Sequence, residues 1–402
     1  MPFTQCKIAI VGCGPAGMLS ALKLSSLYDR VILIGPESNR SNDLRTTALM
    51  MPAIHILKEF GIWQELQDHA APLSIIRMID STNCLIRSPT VRFCAKEIGE
   101  DAFGYNIPNT VLNAAITKTV EKCSKICRIM TTVTACLNDG PMLKIILADG
   151  RKLRTYLLVA ADGRDSVARD ATGLDIHRWH YPQTALVLVF SHQLPHHAIV
   201  TEFHTGEGPF TQVPLPGTQS SLVWVVNPER AKRLLSLSND MLGEKIEKHM
   251  YSMLGTIKIE TPVQTWTMAG LAPKKFAANR VILIGEAAHV FPPIGAQGLN
   301  LSIRDMIDLA AAVATNLPDP GAESVLRFYK KHRTPDIWTS ILLTHILNHA
   351  LLSNCLSIQL GRSAILAMLK KFSPLRTLSM REGMYPGSTL NNFFGLFHRA
   401  NR

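Results

Sequence analysis

The chain has 402 residues, 47% of them hydrophobic and 18% charged, with a formal net charge of +11. That much apolar material excludes a solvated, disordered chain and suffices for about two to three domains. Lysines and arginines occur in short, scattered runs such as Lys274-Lys275, Lys330-Lys331 and Lys370-Lys371 without a basic stripe interleaved with aromatics, which excludes a nucleic-acid partner and better suits an anionic membrane surface.

The first element in the chain is Lys7-Ile8-Ala9-Ile10-Val11, an apolar β-branched run that predicts a strand. Gly12-Cys13-Gly14-Pro15-Ala16-Gly17 follows as a tight turn, and Met18 to Leu24 continues with helical periodicity. Gly12 permits the turn, Gly14 lets the backbone approach a pyrophosphate, and Gly17 lets the helix pack on the strand. The helix N-terminus then receives the negative charge, with Pro15 and Ala16 in its first turn. Because the opening apolar run is already this strand, no secretory signal is visible and a cytoplasmic location is expected. A second strand, Arg30 to Ile34, precedes Glu37, the acid expected to accept hydrogen bonds from a ribose. Cysteines at 6, 13, 84, 94, 123, 127, 136 and 355 show no C-x-x-C and no paired-ligand spacing, so reduced thiols are expected and no metal site.

Strands and helices alternate to about residue 175, interrupted by an insertion between 72 and 105. From Trp179 to Trp266 the pattern changes: Ala185 to Phe190 and Ser221 to Val226 read as strands among Pro and Gly turns, an antiparallel sheet of the kind that walls a substrate pocket. Arg280-Val281-Ile282-Leu283-Ile284-Gly285 repeats the pattern of Arg30 to Gly35, and the two are expected as buried parallel strands of one sheet. After Leu299 the chain reads as mostly helical. The glycine fingerprint, Ala161-Asp162-Gly163-Arg164-Asp165-Ser166 and Gly285-Glu286-Ala287-Ala288-His289, in this order, point to bound FAD.

With these motifs the chain resembles class A FAD-dependent aromatic monooxygenases, and more closely the ubiquinone-biosynthesis hydroxylase family. The resemblance extends through Asp43-Leu44-Arg45, Ser166 with Arg169, Gly208-Pro209-Phe210 to Trp224, Gly285 to Asp305, and Tyr329 with Arg333 and Asp336. It implies an α/β fold: a FAD-binding, Rossmann-like, PHBH-type (glutathione-reductase-like) domain over 1–71, 106–175 and 270–335. A substrate-binding antiparallel β-sheet domain would take 72–105 and 176–269, and a helical C-terminal region 336–402. It implies that Gly285 and Glu286 meet the ribityl chain, although most relatives carry Asp where Glu286 stands. Pro292, Pro293 and Gly295 would pass close to the flavin, with Gln297 beside it. Gly298, Leu299 and Asn300 would open a helix whose positive end faces the reduced ring. Arg45 would reach the phosphates or the adjacent ring, and Asp162 would lie near the pyrophosphate.

The implied reaction is electron delivery from NAD(P)H, uptake of O2 as a flavin C4a-hydroperoxide, and attack on a polyprenylated phenol of ubiquinone biosynthesis. Pro293, Gly295 and Gln297 are the flavin-proximal candidates, and no side chain is identified as the catalytic base. His289 reads as a packed, hydrogen-bonded residue rather than a proton carrier. A soluble phenolic substrate is the alternative within the same fold, and a flavin-free prenyl-binding escort is the reading from another class. His192, His196, His197 and His204 match no metal spacing. Ile337 to Gly361, with no charged side chain, has two readings: packing on the protein's own core, or peripheral contact with the inner face of the membrane or with other enzymes of the route.

Overall fold

The structure, a computed structural model, describes residues 4–36, 43–292, 295, 297–353 and 355–385. Glu37, Pro293 and the segment after Tyr385 therefore lie outside the described residues. The chain divides into two compact units, one of Met1–Asp43, Thr110–Tyr181 and Ala269–Leu343, the other of Leu44–Asn109, Pro182–Met268 and Thr344–Arg402.

The first unit is built on a sheet whose central strand, β1 (Thr4–Val11), is apolar on both faces, with Ile8, Ala9 and Ile10 fully buried. Continuous apolar runs suit a parallel sheet covered on both sides. β1 pairs in parallel with β2 (Val31–Ile34) and with the strand Lys152–Ala160. Beyond them, Val31↔Ile126 and Leu158↔Val281 add Ile126–Ile129 and Val281–Leu283 in the same direction. The strands around Arg30 to Gly35 and Arg280 to Gly285 thus lie buried and parallel in one sheet. Val11, Ile34, Ala160 and Leu283 end these strands at one edge. α1 (Pro15–Ser25) leaves that edge, and the helices Gln297–Ala314 and Glu323–Leu352 follow later in the chain.

The second unit carries a sheet that runs, in spatial order, through 257–259, the part of the strand Ile176–His192 from Pro182 onward, 219–226, 208–215, 199–205, 75–80 and 91–94. Its strands alternate, and one face buries Leu186, Leu188, Phe190, Phe203, Phe210 and Trp224 with Leu234 and Ile246 of the helices Pro228–Leu235 and Asn239–His249. Phe210 and Trp224 meet edge to face at 5.1 Å, and His249 lies 4.5 Å from the Phe210 ring. Burial pushes the His249 imidazole down to about 4. Ile75 to Asp80, within the insertion, pairs in parallel with Ile199 to His204. Asp43-Leu44-Arg45 leads first into a short strand, Thr46–Met50, and only then into the helix Met51–Glu59. Thr46 and Thr47, β-branched, take the extended form before Pro52 opens the helix.

Candidate functional site

At the carboxyl edge of the parallel sheet in the first unit lies a cleft of about 470 Å³. Such an edge is where open α/β sheets take their ligands. Gly12, Cys13 and Gly14 line one side, Gly35 and Pro36 the end of β2, Thr131 to Val133 a further wall, and Ala161, Asp162, Gly163 and Asp165 the floor.

The glycines are required by close approach. Gly12 has φ +113°, and a Cβ there would stand 2.1 Å from the Ala161 carbonyl oxygen. A Cβ on Gly17 would stand 2.0 Å from the Gly12 oxygen. α1 starts at Pro15 with Gly14 as its N-cap, no capping side chain and no acid in the first turn. Its N-terminal N–H groups are thus left for a ligand at the cleft.

The middle motif lines this cleft, and the late motif packs beside the glycine turn. Gly285, with φ +60°, sits so close to Ala16 that a Cβ would lie 3.0 Å from the Ala16 methyl. Arg169, fully buried, donates to the Ala287 carbonyl at 3.2 Å and to the Arg164 carbonyl at 3.0 Å. Ser166 caps the short helix Val167–Ala171 by accepting from Arg169 N–H at 3.0 Å. Asp162 Oδ2 accepts from the Ala168 amide at 3.2 Å, while its buried Oδ1 has no hydrogen-bond partner among the described residues. Burial lifts the Asp162 carboxyl above its ordinary range, in spite of the Ser166 hydroxyl and the Ala168 amide. The orphaned oxygen, the uncapped helix start and the backbone that tolerates no Cβ are what a dinucleotide's hydroxyls and pyrophosphate would complete, so the residues present fit FAD.

Glu286 is held by Arg164, whose Nε and Nη2 lie 3.2 and 3.3 Å from its two carboxylate oxygens. Both side chains are about half exposed. Gly295 adopts φ +70° at an exposed turn, Pro292 is buried, and Gln297, Gly298, Leu299 and Asn300 form the first turn of the helix Gln297–Ala314. Arg45 belongs to the second unit, where its guanidinium lies 4.6 Å from the Trp266 ring centroid.

The sequence reading did not single out Asp305 as a hub. Its Oδ2 accepts from His289 Nε2 at 2.7 Å and from the Gly285 amide at 2.9 Å, while Oδ1 accepts from Arg333 Nε at 2.9 Å. Arg333 also reaches Asp308 at 3.1 Å and Asp336, and Tyr329 donates to the Leu283 carbonyl at 2.8 Å. Burial resists ionisation of Asp305, yet His289 and Arg333 outweigh it and hold the carboxyl below the usual carboxylate range. His289 is thus a buried hydrogen-bonding residue with an acid as its partner. The available signal was an acid inside the apolar face of one helix, with an arginine inside the next. Arg164 was also passed over as the partner of Glu286. Among the described residues no three His, Cys, Asp or Glu side chains converge as a metal site. His192 and His196 instead bond to Ser220 and to the Leu215 carbonyl.

Residues 5–342 match the family described as FAD binding domain. The chain is 29% identical over 387 residues to the ubiquinone hydroxylase UbiL of Rhodospirillum rubrum, covering 94% of this chain and 89% of that protein. It is 28% identical over 348 residues to the 3-demethoxyubiquinol 3-hydroxylase of Escherichia coli, covering 82% and 86%. Among solved structures, p-nitrophenol 4-monooxygenase PnpA from Pseudomonas putida shares the fold with a TM-score of 0.77 at 18% identity, over 97% of this chain and 99% of that one.

Proposed function

Since the chain belongs to the FAD binding domain family, we propose that it is an FAD-dependent monooxygenase that hydroxylates the aromatic ring of a phenolic intermediate of ubiquinone biosynthesis. The relatives named as ubiquinone hydroxylases support this substrate over a small soluble phenol. The observation that carries the reading is the glycine turn itself: Gly12 to Gly14 line one cleft with Asp162, and Gly285 packs against Ala16 of the same turn.

Bound FAD, reduced by NAD(P)H, supplies the oxygen-activating chemistry. The chain's own part is to hold it and to exclude water. The N–H groups of Gly14, Ala16 and Gly17 would take the pyrophosphate, and the unpartnered Asp162 Oδ1 would accept from a hydroxyl or ordered water beside it. Gly285 and Glu286 take the ribityl chain, with Arg164 setting the direction of the longer acid. Gly298, Leu299 and Asn300 present a helix start to the ring. Pro292, Pro293, Gly295 and Gln297 remain the proposed flavin-proximal residues, and Glu37 and Arg45 the rest of the cofactor set that the family resemblance implies.

The prenyl tail of the substrate and peripheral contact with the membrane that dissolves it, and with other enzymes of the route, belong to the same proposal. Among the described residues no single helix is long and apolar enough to cross a bilayer. Lipid quinones extracted from a deletion strain test the reading: an accumulated, under-hydroxylated prenyl precursor supports it, and an unchanged profile overturns it.

A further inference from the structure

The last turns of the helix Glu323–Leu352 are built inside out. Thr344 and Asn348 are buried, with Asn348 Nδ2 donating to Gln183 Oε1 at 2.9 Å, whereas Ile346 and Leu347 are each 52% exposed. Ile337, Ile341 and Leu351 pack inward while Leu342, Leu343, Ile346 and Leu347 face outward, so packing on the protein's own core, one of the two sequence readings, accounts for only part of the segment. The next helix, Leu356–Lys371, repeats the arrangement. Arg362 turns inward to Asp80, Nη2 to Oδ2 3.1 Å with both side chains nearly buried, and Leu366 is buried beside it. This fixed orientation leaves Ile358, Ile365, Met368 and Phe372 pointing outward at 41, 61, 49 and 57% exposure. Spaced by seven, three and four residues, the four fall on one stripe. Single exposed apolar residues are ordinary, but a continuous set held outward by a buried ion pair is not.

Charge identifies the occupant. From Ile337 to Arg381 the sequence holds no Asp or Glu. Of its basic residues, Arg362 and Arg376 are tied to Asp80 and Glu97, while Lys370 and Lys371 are exposed in the last turn, next to Met368 and Phe372. An apolar stripe ending in lysines without acids is the composition of a helix that lies in an anionic headgroup layer. The sequence past Tyr385 has the same character, with Phe393, Phe394, Leu396 and Phe397 followed by Arg399 and Arg402. We propose that the face formed by Ile358, Ile365, Met368 and Phe372 docks on an anionic phospholipid bilayer, with Lys370 and Lys371 at the headgroup phosphates. This deepens the reading of a membrane-dissolved substrate and rests on it for its purpose, although the surface itself is tested without turnover.

The test is co-sedimentation of the full, FAD-loaded chain with vesicles of phosphatidylcholine alone or mixed with phosphatidylglycerol. Binding to the mixed vesicles is expected to be roughly tenfold tighter and to weaken as salt is raised. The pair Ile365→Asp with Phe372→Asp, and separately Lys370→Glu with Lys371→Glu, should each lose at least about tenfold. Unchanged melting and FAD content show that the variants fold; Ile365→Ser with Phe372→Ser serves if the aspartates do not. Absence of binding by the wild type, equal binding by wild type and variants, or a stripe-dependent doubling of mass without vesicles overturns the proposal, the last because the stripe then joins two copies. Hydroxylation of a short-tailed precursor without vesicles separates the two claims: wild type that sediments as expected but hydroxylates no precursor sinks the functional reading and leaves the docking surface standing.

Discussion

His289 Nε2 donates to Asp305 Oδ2 at 2.7 Å, and the same oxygen takes the Gly285 amide at 2.9 Å. One carboxylate thus fixes both ends of the Gly285-to-His289 turn, and its other oxygen ties that turn to Arg333.

Asp305→Asn should cost about 3 kcal/mol of stability, because it leaves Arg333 short of a buried counter-charge. Urea unfolding measures this. The folded carboxyl is held below its ordinary value of 3.8, so its contribution is full above that pH and is lost as the pH falls below it toward the folded value. The wild-type advantage over the variant should therefore shrink on acidification below pH 4, and an advantage that grows there would contradict the assignment.

Gly12→Ala should purify without FAD. The added Cβ meets the Ala161 oxygen at 2.1 Å and the backbone must keep φ +113°, so β1 and the strand Lys152–Ala160 have to separate at the cleft. Strain of this kind costs about 1–3 kcal/mol before the steric clash is added. Flavin absorbance per protein is the readout, and a yellow variant with full occupancy would refute the close-approach argument.

Asp162→Asn separates cofactor affinity from stability. Burial raises the Asp162 carboxyl, so the ionised form is penalised in the folded, cofactor-free protein at every pH above the ordinary carboxylate value. The amide removes that penalty, and the melting temperature without FAD should rise at neutral pH. Affinity for FAD, followed by flavin fluorescence quenching, should fall about tenfold as one charged acceptor is lost. A melting temperature that drops would show the carboxylate to be satisfied by the protein alone.

Arg164→Ala should leave the melting temperature nearly unchanged, since a half-exposed ion pair is worth under about 1 kcal/mol. Its effect should appear in FAD binding, where Glu286 loses the group that aims it. Glu286→Ala should weaken binding by about 1.5–3 kcal/mol, the range for a hydrogen bond to a charged acceptor. Equal FAD affinity in wild type and both variants would remove this pair from the cofactor site.

The glycine turn was legible because its constraints are local: a β-branched run, a φ that only Gly adopts readily, and helical spacing after it all lie within Lys7 to Leu24. The shared sheet of Val31 to Ile34 and Val281 to Leu283 was legible from the repeated apolar strand pattern. Asp305 was not, because its partners come from residues 285, 289 and 333, and nothing in the local sequence reveals which buried acid an arginine twenty-eight positions away will meet. The outward stripe of Leu356–Lys371 escaped for a related reason. An amphipathic pattern gives the width of an apolar face, but only the Arg362–Asp80 pair determines which way that face turns.

The strand Lys152–Ala160 shares its second edge between two partners, Leu143 to Ile146 along its first half and Val281 to Leu283 along the half that ends at the cleft. During synthesis that upper edge stays open until the ribosome has released Leu283, and an open, wholly apolar edge invites wrong pairing. Nascent chains arrested before Val281 should consequently be cleaved by protease near Leu157 and engage chaperones, while chains arrested well past Leu283 should resist both.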